Sequence, residues 1–339
     1  MKKLFTAYTL LIFVLMALTG CTSTAPPKKE EPVPVPAPPP LTKVTVMLDW
    51  TPNTNHTGLY VAKEKGFYKE QGLDVEILQS GEPGPAQLVA AGKVDFGVSY
   101  QEEVTNARAA DIPIVSLAAV IQHNTSGFAS LKEANLTRPK DLEGKRYGGW
   151  GSPVEHAVIE AVMAKDGGNG KKVKFIDIGS ADFFSVIGKK VDFTWIYYGW
   201  DGIQAELRKI PLNVIMLKDF DKALDYYTPV IITSEKNIKE RADLVKKFML
   251  ATSKGYELAM AQPEEGAKIL LKHAPELNAE LVMASQKWLS AQLQADAPQW
   301  GWQKKEVWER YAQWMYERKL LTKMIEADKA FTNEFLPPK

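Results

Sequence analysis

The sequence predicts an α/β protein built as two lobes on one repeated plan. Three observations predict it. A chain of 339 residues exceeds what one hydrophobic core usually organises. Short apolar strand patterns over 73–78, 96–99 and 114–119 alternate with helical ones near 86–91 and 101–109, which argues for a parallel-rich sheet. The same alternation resumes after Asp141, with a strand near 146–148, a helix over 154–166, a turn at Gly167-Gly168-Asn169-Gly170 and a strand at 173–177. The duplication is sharpest in two local matches. Gly92-Lys93-Val94-Asp95-Phe96 leads through a strand to Tyr100, Gln101, Glu102 and Glu103, and Gly188-Lys189-Lys190-Val191-Asp192-Phe193 leads through another to Tyr197, Tyr198, Gly199, Trp200 and Asp201. Each time a small strand ends in tyrosine and delivers a carboxylate to the next helix, so two lobes would aim strand ends at one cleft.

The chain begins with Lys2 and Lys3 before an apolar stretch over 10–18, too short to span a bilayer but suited to a signal-peptide core within 1–20. Leu18-Thr19-Gly20-Cys21 is similar to a bacterial lipobox, which makes Cys21 the acylation site. Cys21 is the chain's single cysteine, so no internal disulfide can form. Eight prolines between 22 and 41 make residues 21–41 a tether. At about 3.1 Å per residue in polyproline geometry it would hold the folded body up to about 60 Å from a membrane, and a plain cell-wall spacer suits the same composition.

Residues 44–48 read as a buried strand and 59–65 as a short helix stopped by Gly66. Between them Asp49, Trp50, Asn53, Asn55 and His56 crowd the turn and Pro52 stiffens it. Ligands of open α/β sheets sit beyond the carboxyl ends of strands, where these residues lie. The same residues also suit Asx turns and a helix N-cap. Further on, Gly149-Trp150-Gly151-Ser152-Pro153 superficially suggests a nucleophile elbow, but Pro153 breaks the G-x-S-x-G pattern. It reads instead as a backbone loop bringing Gly151 and Ser152 to a ligand at the start of a helix. Stretches 127–131 and 229–233 would cross between lobes, and the chain then returns as helices, a long one over 240–260 and others within 263–329.

Composition argues against several classes of function. Lys plus Arg number 42 against 41 Asp plus Glu, with no basic block in the body of the chain, so the footprint of a nucleic-acid binder is missing. The four histidines, His56, His123, His156 and His273, have no metal-ligand spacing, and neither a P-loop nor a dinucleotide fingerprint is present. What remains is Trp50, Tyr60, Tyr100, Trp150, Trp195, Tyr197, Tyr198 and Trp200 among Asp49, Glu102, Glu103, Glu155 and Asp201. Aromatic rings can stack on both faces of a flat heteroaromatic ligand while a carboxylate accepts from its amino group. Trp195, in mid-strand, suits packing as well as binding. Trp288, Trp300, Trp302, Trp308 and Trp314 read as packing residues, with Trp300 and Gly301 the ones nearest to a site role.

Asp49-Trp50-Thr51-Pro52-Asn53-Thr54-Asn55-His56-Thr57-Gly58-Leu59-Tyr60, followed by Lys65-Gly66-Phe67-Tyr68-Lys69-Glu70-Gln71-Gly72-Leu73, resembles the thiamine-pyrimidine-precursor branch of the ABC-transporter substrate-binding proteins, the hydroxymethylpyrimidine and formylaminopyrimidine binders. Trp195-Ile196-Tyr197-Tyr198-Gly199-Trp200-Asp201 resembles that family's second ligand segment, and the likeness runs over about 44–336. The resemblance implies a type II periplasmic-binding-protein fold with a double crossover hinge, a first lobe from 42–130 plus 232–339 and a second from 131–231. It also implies a non-enzymatic, monomeric receptor without a cofactor, anchored outside the membrane by lipid, that hands an aminopyrimidine to an ABC permease. The implied ligand contacts centre on Asp49, Trp50, Tyr197, Tyr198 and Asp201, and the residue reading adds Asn53, His56, Tyr100, Glu102, Gly151, Ser152 and Trp200. The family's last acid is usually glutamate. Aspartate at 201 is one methylene shorter, and a related branch carries riboflavin, so both ligands stand open. Pyrimidine-phosphate synthases of thiamine biosynthesis resemble the same fold, but they carry a cysteine-rich iron segment for which this chain, with its cysteine at 21, has no counterpart.

If Cys21 carries the anchor, Cys21→Ser expressed in a bacterial host should incorporate no labelled fatty acid. A variant still labelled would refute the lipobox reading.

Overall fold

A computed structural model describes residues 40–338 apart from 80 and 180. The expected signal peptide, Cys21 and nearly all of the tether therefore lie outside the described residues. Among those described, ten strands form two five-stranded sheets. The first contains β1 (Thr42–Met47), β2 (Leu73–Leu78), β3 (Phe96–Ser99), β4 (Ile114–Ala119) and β10 (Val230–Ser234) in the order β2-β1-β3-β10-β4. The second contains β5 (Ser126–Leu131), β6 (Arg146–Gly149), β7 (Lys174–Asp177), β8 (Phe193–Tyr197) and β9 (Leu212–Met216) in the order β7-β6-β8-β5-β9. Each sheet has three parallel strands, then one antiparallel strand, then an outer strand antiparallel to it. The plan is the same twice, which makes this a two-lobed α/β fold.

Sequence accounts for the strands' places. β4 and β10 are apolar, β-branched and buried almost throughout, as strands covered on both faces must be. β2 alternates buried and exposed positions and β7 is largely uncovered, as suits edges. The local repeat holds equivalent positions: Asp95 Oδ2 accepts from Thr45 N–H at 2.9 Å on β1, and Asp192 Oδ2 from Arg146 N–H at 2.8 Å on β6. These two carboxylates fix β3 against β1 and β8 against β6.

Two expectations on lobe membership need correction. The expected boundary at 130 falls inside β5, which pairs with β8 and β9, so the chain leaves the first sheet over 120–125. The helix Lys305–Glu317, expected with the first lobe, serves both: Trp308 packs with β10 and the helix Gln101–Ala109, while Tyr311, Trp314 and Met315 enter the core of the second sheet. Its apolar positions fall three and four residues apart on one face, and successive turns of that face meet different sheets. The outgoing and returning crossings lie together, with Val120 N–H donating to Pro229 O at 2.9 Å and Asn124 Nδ2 to Leu224 O at 2.8 Å.

Helices Thr57–Glu64, Ala242–Ala261, Pro263–His273 and Ala279–Gln294 cover one face of the first sheet. Gly66, at φ +78°, ends the first of these as expected. Glycines also let Thr57–Glu64 and Ala242–Ala261 meet backbone to backbone: a Cβ on Gly255 would stand 2.1 Å from Gly58 O. Gly255→Ala should therefore destabilise the protein by about 3 kcal/mol or more, at the upper end of overpacking costs. Urea denaturation checks this; a midpoint unchanged from wild type would contradict the close approach.

Candidate functional site

Beyond β1 the chain turns through Asp49 and Trp50 into a self-supporting loop. Asn53 Oδ1 accepts from Asn55 N–H at 2.9 Å and Asn53 Nδ2 donates to Thr51 O at 3.0 Å. Asn53 N–H donates to His56 Nδ1 at 3.2 Å, which leaves the proton on Nε2, and Nε2–H donates to Asp49 Oδ1 at 2.7 Å. His56 is fully buried with both ring nitrogens engaged. Asn53 and His56, expected to touch ligand, form the loop's internal frame and hold Asp49 in place. Asp49 Oδ2 has no partner among the described residues and is free to accept.

Beyond β3, Gln101 is buried and locks the start of its helix to the returning crossing. Its N–H donates to Tyr227 O at 3.0 Å, its Oε1 accepts from Tyr227 N–H at 2.9 Å, and its Nε2 donates to Val307 O at 3.2 Å. Tyr100 and Glu102 flank this anchor. Glu103 accepts from Ser99 Oγ at 2.5 Å.

In the second sheet, Gly151 at φ +86° turns the chain after β6. Glu155 then reaches back to accept from Ser152 N–H at 2.8 Å, Trp150 N–H at 3.2 Å and Tyr147 Oη at 2.7 Å. Ser152 is the N-cap, its Oγ accepting from Val154 N–H at 3.4 Å. The amides of Trp150 and Ser152 are therefore turned onto a protein carboxylate. Beyond β8 the backbone winds through a π-turn, Tyr198–Gly202. Asp201 Oδ2 accepts from Tyr197 N–H at 3.2 Å. Tyr198 packs on Trp288 with ring centroids 5.4 Å apart, and Trp200 packs against the core of the first sheet. Those two rings, expected in the site, pack where the halves of the molecule meet. Trp300, singled out in the sequence as nearest to a site role, is buried against Tyr256 with ring centroids 4.2 Å apart.

Four aromatic rings at these strand ends are exposed, Trp50 (58 %), Tyr100 (40 %), Trp150 (52 %) and Tyr197 (43 %), and among the other described Phe, Tyr and Trp residues Tyr316 alone is as open. The four stand at the carboxyl ends of β1, β3, β6 and β8, two on each sheet. Ser285 bonds Thr54 in the loop after β1 and Gly199 O in the turn after β8, so these strand ends of the two sheets lie close together. Tyr197 is open to water yet crowded by protein, which describes the wall of a recess; burial, moderated by a hydrogen bond, pushes its hydroxyl up to about 12. No group of three or more His, Cys, Asp or Glu suited to a metal exists among the described residues.

Residues 53–266 match the family model described as NMT1/THI5 like. The chain belongs to the NMT1/THI5-like family. The formylaminopyrimidine-binding protein of Halalkalibacterium halodurans is 31 % identical over 306 residues, 86 % of this chain and 90 % of that one. The riboflavin-binding protein RibY of Chloroflexus aurantiacus is 27 % identical, with 97 % of each chain covered. The solved periplasmic aliphatic sulphonate binding protein SsuA of Escherichia coli shares the fold, with a TM-score of 0.68 at 14 % identity over 88 % of this chain and 94 % of that one. The fold implied by the family resemblance is thus the observed one.

The acids of this NMT1/THI5-like cleft differ in their surroundings. Burial, then the charges of Glu103 and Glu155, push Glu102 up to about 7; burial also pushes Asp201 up to about 6, against the hydrogen bond from Tyr197. Two tyrosines not singled out in the sequence, Tyr226 and Tyr311, lie within the field of Glu102. A carboxyl raised on folding destabilises the folded protein once ionised. The penalty is absent below the unfolded pKa near 4 and complete above the folded one, so Glu102 costs up to about 3 kcal/mol by pH 8. Glu102→Gln should accordingly raise the melting temperature by several degrees at pH 8 and leave it unchanged at pH 4. Equal shifts at both pH values would contradict this placement of Glu102.

Proposed function

We propose that the protein is the substrate-binding component of an ABC importer, capturing a thiamine-precursor aminopyrimidine between its lobes and delivering it to a permease. One observation carries the reading: exposed aromatic faces from both sheets surround carboxylates, and in the loops after β1 and β6 the amides of Asn53, Asn55, Trp150 and Ser152 are already bonded to protein acceptors. Such a site accepts donors and stacks flat rings, and it offers an anion little. Trp50 and Tyr197 are the stacking partners, one from each lobe, and Asp49 and Asp201 take the amino group and ring nitrogens. A ligand held by both lobes favours the closed arrangement, which is the differential affinity that closure requires. Binding and not turnover is the activity that this reading assigns, in keeping with the binding-protein relative. Cys21 would tether the receptor beside its permease on the outer face of the membrane.

Riboflavin is the second reading, favoured by a specific observation. One pyrimidine ring uses two aromatic faces, and this cleft offers four.

Calorimetry with hydroxymethyl- and formylaminopyrimidines, thiamine and riboflavin decides between them. The pyrimidine reading expects one site per chain. A hydrogen bond to a charged group is worth about 1.5–3 kcal/mol, so Asp49→Asn and Asp201→Asn should each weaken binding roughly ten- to a hundredfold while cooperative thermal unfolding is retained. Preference for riboflavin would promote the second reading, and preference for a sulfonate or phosphate would overturn both.

A further inference from the structure

His123 sits on the outgoing crossing between the two sheets with both ring nitrogens turned onto carboxylates. Nδ1 lies 2.7 Å from Asp225 Oδ2, on the returning crossing, and Nε2 lies 2.9 Å from Asp296 Oδ1, in the first-lobe loop that follows the helix Ala279–Gln294. An ionised carboxylate only accepts, and a neutral imidazole carries a single N–H. Both contacts are therefore made only by the imidazolium. The other histidines are held differently: His56 accepts an amide on one nitrogen, His273 meets the single carboxylate of Glu64, and His156 stacks on Phe175. The two acids on His123 differ in what else holds them. Asp225 Oδ1 also accepts from Asn124 N–H at 3.0 Å, whereas the more exposed Asp296 has Lys304 Nζ as a second partner at 3.4 Å. Lys218 acts on this cluster through Asp225, and Arg310 through Tyr227, whose hydroxyl accepts from Lys304 N–H at 2.9 Å.

We propose that His123 is a proton-operated clamp on the hinge: as the imidazolium it fastens the outgoing crossing to the first lobe through Asp296, and on losing a proton it keeps Asp225, lets Asp296 go and frees the crossing to bend. The neutral ring keeps its proton on Nδ1 because Asp225 is the more enclosed acceptor and is fixed by Asn124. Nε2 then turns a lone pair toward a carboxylate, which repels it, and Asp296 falls back on Lys304. The bond to Asp225, opposed by partial burial and reinforced by the bond to Asp296, raises the pKa of His123 above its ordinary value of 6.5. For a group raised on folding, the stabilisation is complete below about 6.5 and is lost as pH rises through the folded midpoint. The hinge is thus fastened on the acid side of that midpoint and loose on the alkaline side. The clamp lies on the crossing and not among the cleft residues, so it holds whichever ligand the cleft takes.

Two measurements on the full-length protein without ligand test this. Side-chain NMR of labelled histidines, with His123 assigned by its loss in His123→Gln, gives the midpoint and the neutral tautomer. Amide hydrogen exchange well below and well above that midpoint, corrected for the chemical rate, reads the hinge. The midpoint should lie above about 6.5, with the neutral ring protonated on Nδ1. The amides of Val120 and Gln122, bonded to Pro229 O and Gln292 O, should lose protection roughly three- to tenfold across the midpoint, while those within the helix Ala242–Ala261 keep theirs. His123→Gln should abolish that step. Asp296→Asn, a change at an exposed side chain, should abolish it too and lower the His123 midpoint, with the melting temperature reporting that both variants are folded. A midpoint at or below about 6.5, a neutral ring protonated on Nε2, equal protection on both sides of the wild-type midpoint, or a step that persists in both variants would each overturn the clamp.

Discussion

Parallel pairing of β1 with β3 and of β6 with β8 is the constraint on which the cleft depends. Parallel neighbours end on the same side, so each sheet delivers two loops to one rim without further instruction. The carboxylates of Asp95 and Asp192 hold those pairings at the opposite end, where each accepts the neighbouring strand's amide. Asp49, Trp50, Tyr100, Trp150 and Tyr197 inherit their positions from this arrangement.

What the cleft can recognise follows from how its loops are satisfied. A helix start normally presents unpaired amides and welcomes an anion. Here the loop after β1 spends its amides on Asn53 and His56, and the loop after β6 spends its amides on Glu155. The shared fold of SsuA therefore says little about ligand charge, because the local chemistry of the loops sets it.

The fold was legible in the sequence because the strands buried on both faces are short apolar runs and because the unit repeats. The lobe boundary was not, since nothing in Ser126–Leu131 distinguishes a strand ending one sheet from a strand opening the next. Asp49, Trp50, Tyr100 and Tyr197 were legible as strand-end residues. The packing of Tyr198 and Trp200 was not, because a π-turn, which alters the facing of successive residues, cannot be read from spacing alone. Tyr226 and Tyr311 left no local signal at all. They come to Glu102 only through tertiary packing, by way of a helix that bridges both sheets.

Ser285 gives the joint between the halves a direction. Buried on the helix Ala279–Gln294, its hydroxyl donates to Gly199 O in the π-turn of the second sheet, and its oxygen lies 2.7 Å from Thr54 Oγ in the first ligand loop. A hydroxyl has a single proton, so with that proton committed to Gly199 the contact with Thr54 runs one way, Thr54 donating to Ser285. The three groups form an ordered proton chain from one ligand loop to the other, passing through a residue that touches neither ring stack nor carboxylate. The loop after β1 and the turn after β8 are thereby joined through one buried hydroxyl.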